Sequence, residues 1–84
     1  MKIRLLYFAG LREQLGMAGE ELVLPAGVAS VAALREHLMA RDAKWQAALA
    51  PSRLRVAVNQ DMAEAATALR PGDEVAFFPP VTGG

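Results

Sequence analysis

The sequence predicts an α+β domain in which a mixed sheet carries one main helix on a single face. Three observations lead there. Four segments show β-former enrichment or apolar–polar alternation, a well-capped amphipathic helix stands between the second and third of them, and tight turns rather than linkers join the elements. The 84 residues leave room for one core, so 1–84 is expected to be a single domain. Apolar residues make up 54% of the chain and charged residues 21%, which suits a packed globule and argues against disorder.

"KIRLLYF" (Lys2 to Phe8) is rich in β-formers and turns Ile3, Leu5 and Tyr7 to one face of a pleat. "AGLREQLG" places Leu11 and Leu15 at helical spacing with Gly16 as a stop, a short helical turn. "EELVLP" is a second short strand, ended by Pro25. Ser30 is a good N-cap for "VAALREHLMA", in which Val31, Leu34, Arg35 and Leu38 share a face. Asp42 can cap a further short helix, "AKWQAALA", burying Trp45, Ala48 and Leu49 before Pro51 closes it. "LRVAVN" alternates, with Leu54, Val56 and Val58 inward and Arg55, Ala57 and Asn59 outward. "NQDMAEAA" reads as a hairpin or turn region, "RPGDE" as a turn with Pro71 and Gly72 in their usual places, and "EVAFF" as a last strand terminated by Pro79 and Pro80.

Strand, short helix, strand, main helix, short helix, strand, turn region, strand is the ubiquitin-like β-grasp order, in which the first and last strands lie side by side and parallel. If the helix covers one face, the other face should be polar. The outward residues of the first strand are Lys2, Arg4, Leu6 and Phe8, and those of the last are Glu74, Ala76 and Phe78. Both sets begin polar and finish apolar. Leu6, Phe8 and Phe78 should therefore gather at the end from which the C-terminal tail leaves, with Arg12 and Glu13 close by, and such a patch is the expected footprint of a protein partner. The alternative is that the helical turns at 9–16 or 43–50 fold over the patch.

Other chemistries find little support. Nine basic and nine acidic residues cancel, so nothing suggests nucleic acid, and the apolar runs are too short for a membrane span. Cysteine is absent, which removes disulfides, thiolate metal sites and a cysteine nucleophile, and fits a reducing compartment. No signal peptide is read at the start, and the chain is expected to be cytoplasmic. His37, the sole histidine, flanks the buried stripe as a half-exposed structural residue. Asp73 and Glu74, adjacent in a strand, point to opposite faces and cannot act as a pair. No metal-ligand cluster or Walker-type loop exists, so no cofactor is expected on this chain and ATP must be bound by another protein.

The end of the chain, "FFPPVTGG", remains. Residues 79–84 are read as a protruding tail. Pro79 and Pro80 stiffen its base, Val81 and Thr82 extend it, and Gly83 and Gly84 can thread a channel that any Cβ would block. Val81 to Gly84 spans at most about 14 Å when extended. What such a tail delivers is the α-carboxylate of Gly84, which can attack the α-phosphate of ATP, become an acyl-adenylate, and then accept an amine or a sulfur.

"LYFAGLRE" (Leu6 to Glu13), "VNQ" (Val58 to Gln60) and above all "GDEVAFFPPVTGG" (Gly72 to Gly84) resemble the small, sulfur-carrying subunits of molybdopterin synthase over essentially the whole chain, most loosely from Asp61 to Arg70. The resemblance implies that an E1-like adenylyltransferase uses ATP and Mg²⁺ to adenylate the Gly84 carboxylate, and that a sulfur donor protein converts it to a thiocarboxylate. It also implies that the tail enters the active site of the large catalytic subunit, within a heterotetramer, and gives its sulfur to cyclic pyranopterin monophosphate. By that account the chain is a carrier and not an enzyme on its own. The alternatives are a thiamine-type sulfur carrier, a ubiquitin-like modifier joined to lysines through Gly84, and a non-covalent adaptor for which the two glycines mean nothing. Deleting Gly84 separates the last from the others.

Overall fold

The computed structural model of the chain describes residues 1–80. Its elements are β1 (Lys2–Tyr7), α1 (Ala9–Leu15), β2 (Gly19–Val23), α2 (Val31–Met39), α3 (Ala43–Leu49), β3 (Arg55–Val58), β4 (Asp61–Met62) and β5 (Glu74–Phe78). The sheet order is β2-β1-β5-β3-β4, with β1 and β5 parallel and the other neighbours antiparallel. This is the expected α+β, β-grasp arrangement.

Alternation sets which face is buried. Ile3, Leu5 and Tyr7 of β1 and Val75 and Phe77 of β5 all turn into one core, where they meet Leu11 and Leu15 of α1, Val31, Leu34 and Leu38 of α2, and Trp45, Ala48 and Leu49 of α3. All three helices therefore pack on the same face of the sheet, and neither short helix folds over the other face. At about 1.5–3 kcal/mol for each large apolar side chain, this cluster is the main source of stability.

Local chemistry fixes the ends of the helices. Gly16 closes α1 with φ 75°, its N–H donating to the Arg12 carbonyl at 2.9 Å. Ser30 Oγ accepts from the Ala33 N–H at 3.1 Å, and the N–H groups of Val31 and Ala32 donate to the Thr67 and Ala65 carbonyls at 3.0 and 2.9 Å. The first turn of α2 thus has partners for its free donors, and in return it pins a segment whose alanines gave the sequence little pattern. Asp42 Oδ1 accepts from the Trp45 N–H at 3.0 Å, the expected cap of α3. At the other end of α3, the Arg35 guanidinium donates to the carbonyls of Leu49 and Pro51. Arg35 does stand beside the buried stripe, with its head group satisfied by the carbonyl ends of a neighbouring helix.

The region 59–66 resolves into a two-residue hairpin. Asn59 and Gln60 have φ 52° and 72°, the type I′ geometry that joins β3 to β4. Asn59 also ties this turn to the next one: its side chain donates to Asp73 Oδ1 at 2.9 Å and accepts from the Glu74 N–H at 3.0 Å. Asp73 Oδ2 accepts from the Arg70 N–H at 2.8 Å, so this carboxylate is a turn former, as its position implied.

One inward–outward assignment needs correction. Ala57, expected to face solvent, is only 9% exposed. It does lie on the outward face, but its register partners are Ala76 of β5 and Met62 of β4, and a single methyl group between two flanking strands has little access to water.

Candidate functional site

Residues directly opposite one another in a sheet share a face, so the register defines the open surface row by row. One row crosses the strands as Glu21, Arg4 and Glu74. The next runs Gly19, Leu6, Ala76, Ala57, Met62 and contains no charge at all. Beyond it come Phe78 and its partner Arg55. Phe8 stands beside Phe78, because its backbone is still extended (φ −118°, ψ 156°) and its N–H continues the ladder to the Phe77 carbonyl at 3.2 Å. Charge therefore dominates one end of the face and apolar surface the other, with Arg55 flanking Phe78 on the β3 side.

The expected trio is brought together. Leu6 and Phe78 are half-buried and Phe8 is 46% exposed, with no helix above them. Sequence reasoning missed Met62, which is 60% exposed at the far end of the apolar row. Its signal was the alternation of a strand only two residues long, too short to read without its partner. Arg12 is exposed on α1, one helical turn beyond Phe8, and Glu13 beside it is likewise exposed.

Phe78 leads directly into Pro79 and Pro80, the expected base of a tail. Pro80, Arg53 and Leu54 line both of two adjoining grooves: one of about 680 Å³ against α2 and β3–β4, the other of about 230 Å³ against Gly10, Gln14 and Pro51. The expected working residues Val81, Thr82, Gly83 and Gly84 lie outside the described residues.

Beneath the patch, Tyr7 anchors the strand end that carries Leu6 and Phe8. Its ring meets Trp45 edge-on at 5.5 Å and stacks on Phe77 at 6.5 Å. Its hydroxyl donates to Glu20 Oε2 at 3.0 Å, and Glu20 receives two hydrogen bonds from Arg41 at 2.8 and 2.9 Å. Arg41 in turn lies 4.4 Å over the Trp45 ring. The Arg41 hydrogen bonds hold the Glu20 carboxyl below its ordinary range, and burial pushes the Tyr7 phenol well above its own. Both groups stay in one protonation state near neutral pH, which makes this a rigid support and not an acid–base site. Among the described residues no group of three or more His, Cys, Asp or Glu is placed to hold a metal ion, and no helix is long and apolar enough to cross a membrane.

The model of the ThiS family matches residues 5–84. The chain belongs to the ThiS family. This match runs from β1 through the open face and includes the tail. Among curated proteins, the molybdopterin synthase sulfur carrier subunit of Escherichia coli (strain K12) is 45% identical over 82 residues, covering 98% of this chain and 99% of that protein. Among solved structures, the putative molybdopterin converting factor subunit 1 of Pyrococcus furiosus is 30% identical with a TM-score of 0.78, covering 96% of this chain and 99% of its own. The small archaeal modifier protein 1 of H. volcanii is 26% identical with a TM-score of 0.74, covering 95% and 98%. The chain is thus similar both to proteins named as sulfur carriers and to one named as a modifier.

Proposed function

We propose that this chain is the sulfur carrier subunit of molybdopterin synthase and acts in molybdenum cofactor biosynthesis. The observation that carries the reading is the uncharged row on the open face, ending where β5 passes into Pro79 and Pro80. An apolar docking surface beside a proline-stiffened tail lets a partner hold the folded domain while the chain end reaches into that partner's own cavity. The domain contributes recognition and reach, and the chemistry takes place on the terminal carboxyl group.

In this reading the Gly84 carboxylate oxygen attacks the α-phosphate of ATP bound by an E1-like adenylyltransferase, forming an acyl-adenylate and releasing pyrophosphate, with Mg²⁺ supplied by that enzyme. A persulfide on a donor protein adds its outer sulfur to the acyl carbon and expels AMP. A second thiol then attacks the donor sulfur of the acyl disulfide, forming a disulfide with the donor and releasing the thiocarboxylate. Docked on the large catalytic subunit, the charged tail bonds through its sulfur to cyclic pyranopterin monophosphate. Water then cleaves the acyl carbon–sulfur bond, leaving the sulfur on the pterin and returning the tail as a carboxylate. Val81, Thr82, Gly83 and Gly84 thread a narrow channel of the partner, and Leu6, Phe8, Phe78 and Arg12 contact the large subunit. All of these partners are soluble proteins of the cytoplasm.

The 45% identity to a sulfur carrier subunit, against 26% to a modifier, favours the carrier role over conjugation. The test is the intact mass of the chain after incubation with an E1-like adenylyltransferase, ATP and a sulfur source. A gain of about 16 Da, one oxygen exchanged for sulfur, that disappears when Gly84 is deleted is expected. No gain with an activating enzyme proven competent on a known carrier would refute the reading.

A further inference from the structure

The open face carries a symmetry that a single partner surface does not require. Arg4 and Glu74 are direct register partners on the adjacent strands β1 and β5, yet the salt bridges among the described residues are Lys2–Glu21 and Arg41–Glu20. Two opposite charges thus stand side by side without being spent on each other. One row further on, Leu6 is level with Ala76, and beyond that Phe8 is level with Phe78.

We propose that, without its partners, the chain forms a symmetric dimer, open face to open face, about a two-fold axis running parallel to β1 and β5 and passing between them. Such an axis exchanges the positions of the two strands. Arg4 of one copy faces Glu74 of the other and Glu74 faces Arg4, Leu6 faces Ala76, and Phe8 faces Phe78. One step outward, Gly19 on β2 faces Ala57 on β3, two of the smallest side chains, so the sheets can close to the usual spacing of about 10 Å. The sheet has an odd number of strands, so β4 has no counterpart and Met62 overhangs the β2 edge of the other copy. Displacing either copy by one strand would set Arg4 over Arg4 or Glu74 over Glu74, so the charged row selects this register and the apolar rows supply the affinity.

A rotation about an axis along the strands preserves their direction, so both Pro79–Pro80 segments leave from the same end of the dimer. The face a partner needs is then covered, and partner binding requires dissociation. This dimer does not depend on the sulfur-carrier reading, and a monomeric chain would leave that reading untouched.

Sedimentation equilibrium of the full chain is expected to show a concentration-dependent dimer that weakens with salt. Arg4→Glu and Glu74→Arg should each weaken it at least tenfold by facing like charges, and the double reversal should restore it to within about threefold. In the unaltered chain, isotope-filtered NMR of a mixed labelled and unlabelled sample should show contacts between Phe8 of one copy and Phe78 of the other, a readout that needs no variant to fold. A chain that stays monomeric at several hundred micromolar overturns the proposal. So does a double reversal no better than the singles with all variants folded, or a dimer lacking the Phe8–Phe78 contact.

Discussion

Glu20 is the residue on which the support beneath the patch converges, receiving hydrogen bonds from Arg41 and from the Tyr7 hydroxyl while partly removed from water. Its depressed folded pKa gives the linkage a definite sign. The unfolded chain takes up the proton first as pH falls, so the stabilisation is fully present above the ordinary glutamate pKa of about 4.3 and is lost as pH drops through the folded value. Glu20→Gln should therefore lower unfolding free energy by about 1–2 kcal/mol at pH 7, with a deficit that shrinks towards pH 3. Urea denaturation at the two pH values checks this, and a pH-independent deficit would assign the effect to packing instead. None of this network was legible beforehand. Tyr7, Glu20, Arg41 and Trp45 lie on four separate segments, and nothing in their spacing signals that an arginine will settle on an indole and a carboxylate together. The caps contributed by Ser30 and Asp42 were legible, because each binds an N–H three residues along its own chain.

Among the elements, those with a strong local pattern emerged as the sequence implied. β1 and β5 alternate strictly, α2 carries a stripe at helical spacing, and the turn at Pro71–Gly72 uses residues suited to φ 86° at the glycine. The stretch after β3 was harder, since its geometry comes from tertiary partners: β4 exists because β3 pairs with it, and residues 65–67 are held by the first turn of α2. The hairpin between them contains a cost. Gln60 at φ 72° occupies a position that type I′ turns usually give to glycine, whereas Asn59 tolerates φ 52° well. Gln60→Gly is expected to raise stability by about 0.5–1 kcal/mol through relief of that conformation. Thermal unfolding should show a melting temperature a few degrees higher, and a decrease would mean that the Gln60 side chain makes a compensating contribution.

At the scale of the whole molecule, one face of the sheet is buried in the core, and the other is left open for the recognition proposed above. Every helix is on one side, so replacements on the other can alter binding without opening the core. Phe78→Asp and Met62→Asp should each weaken association with a large catalytic subunit by at least tenfold while leaving the unfolding midpoint within a few degrees, and a calorimetric titration with unchanged affinity would remove these residues from the interface. The apolar end of this surface could be anticipated from β1 and β5 alone, whereas its extension to Met62 required the register. The sheet order has a mechanical side as well. The tail continues from β5, the middle strand of five, which is bonded to β1 on one side and β3 on the other. Traction along the tail, as when a bound chain end is withdrawn from a tight channel, acts along both ladders at once and loads their hydrogen bonds in shear. An edge strand under the same pull would unzip one bond at a time. If the end of the chain is the working group, as proposed above, its place on the innermost strand lets the domain be tugged repeatedly without unravelling.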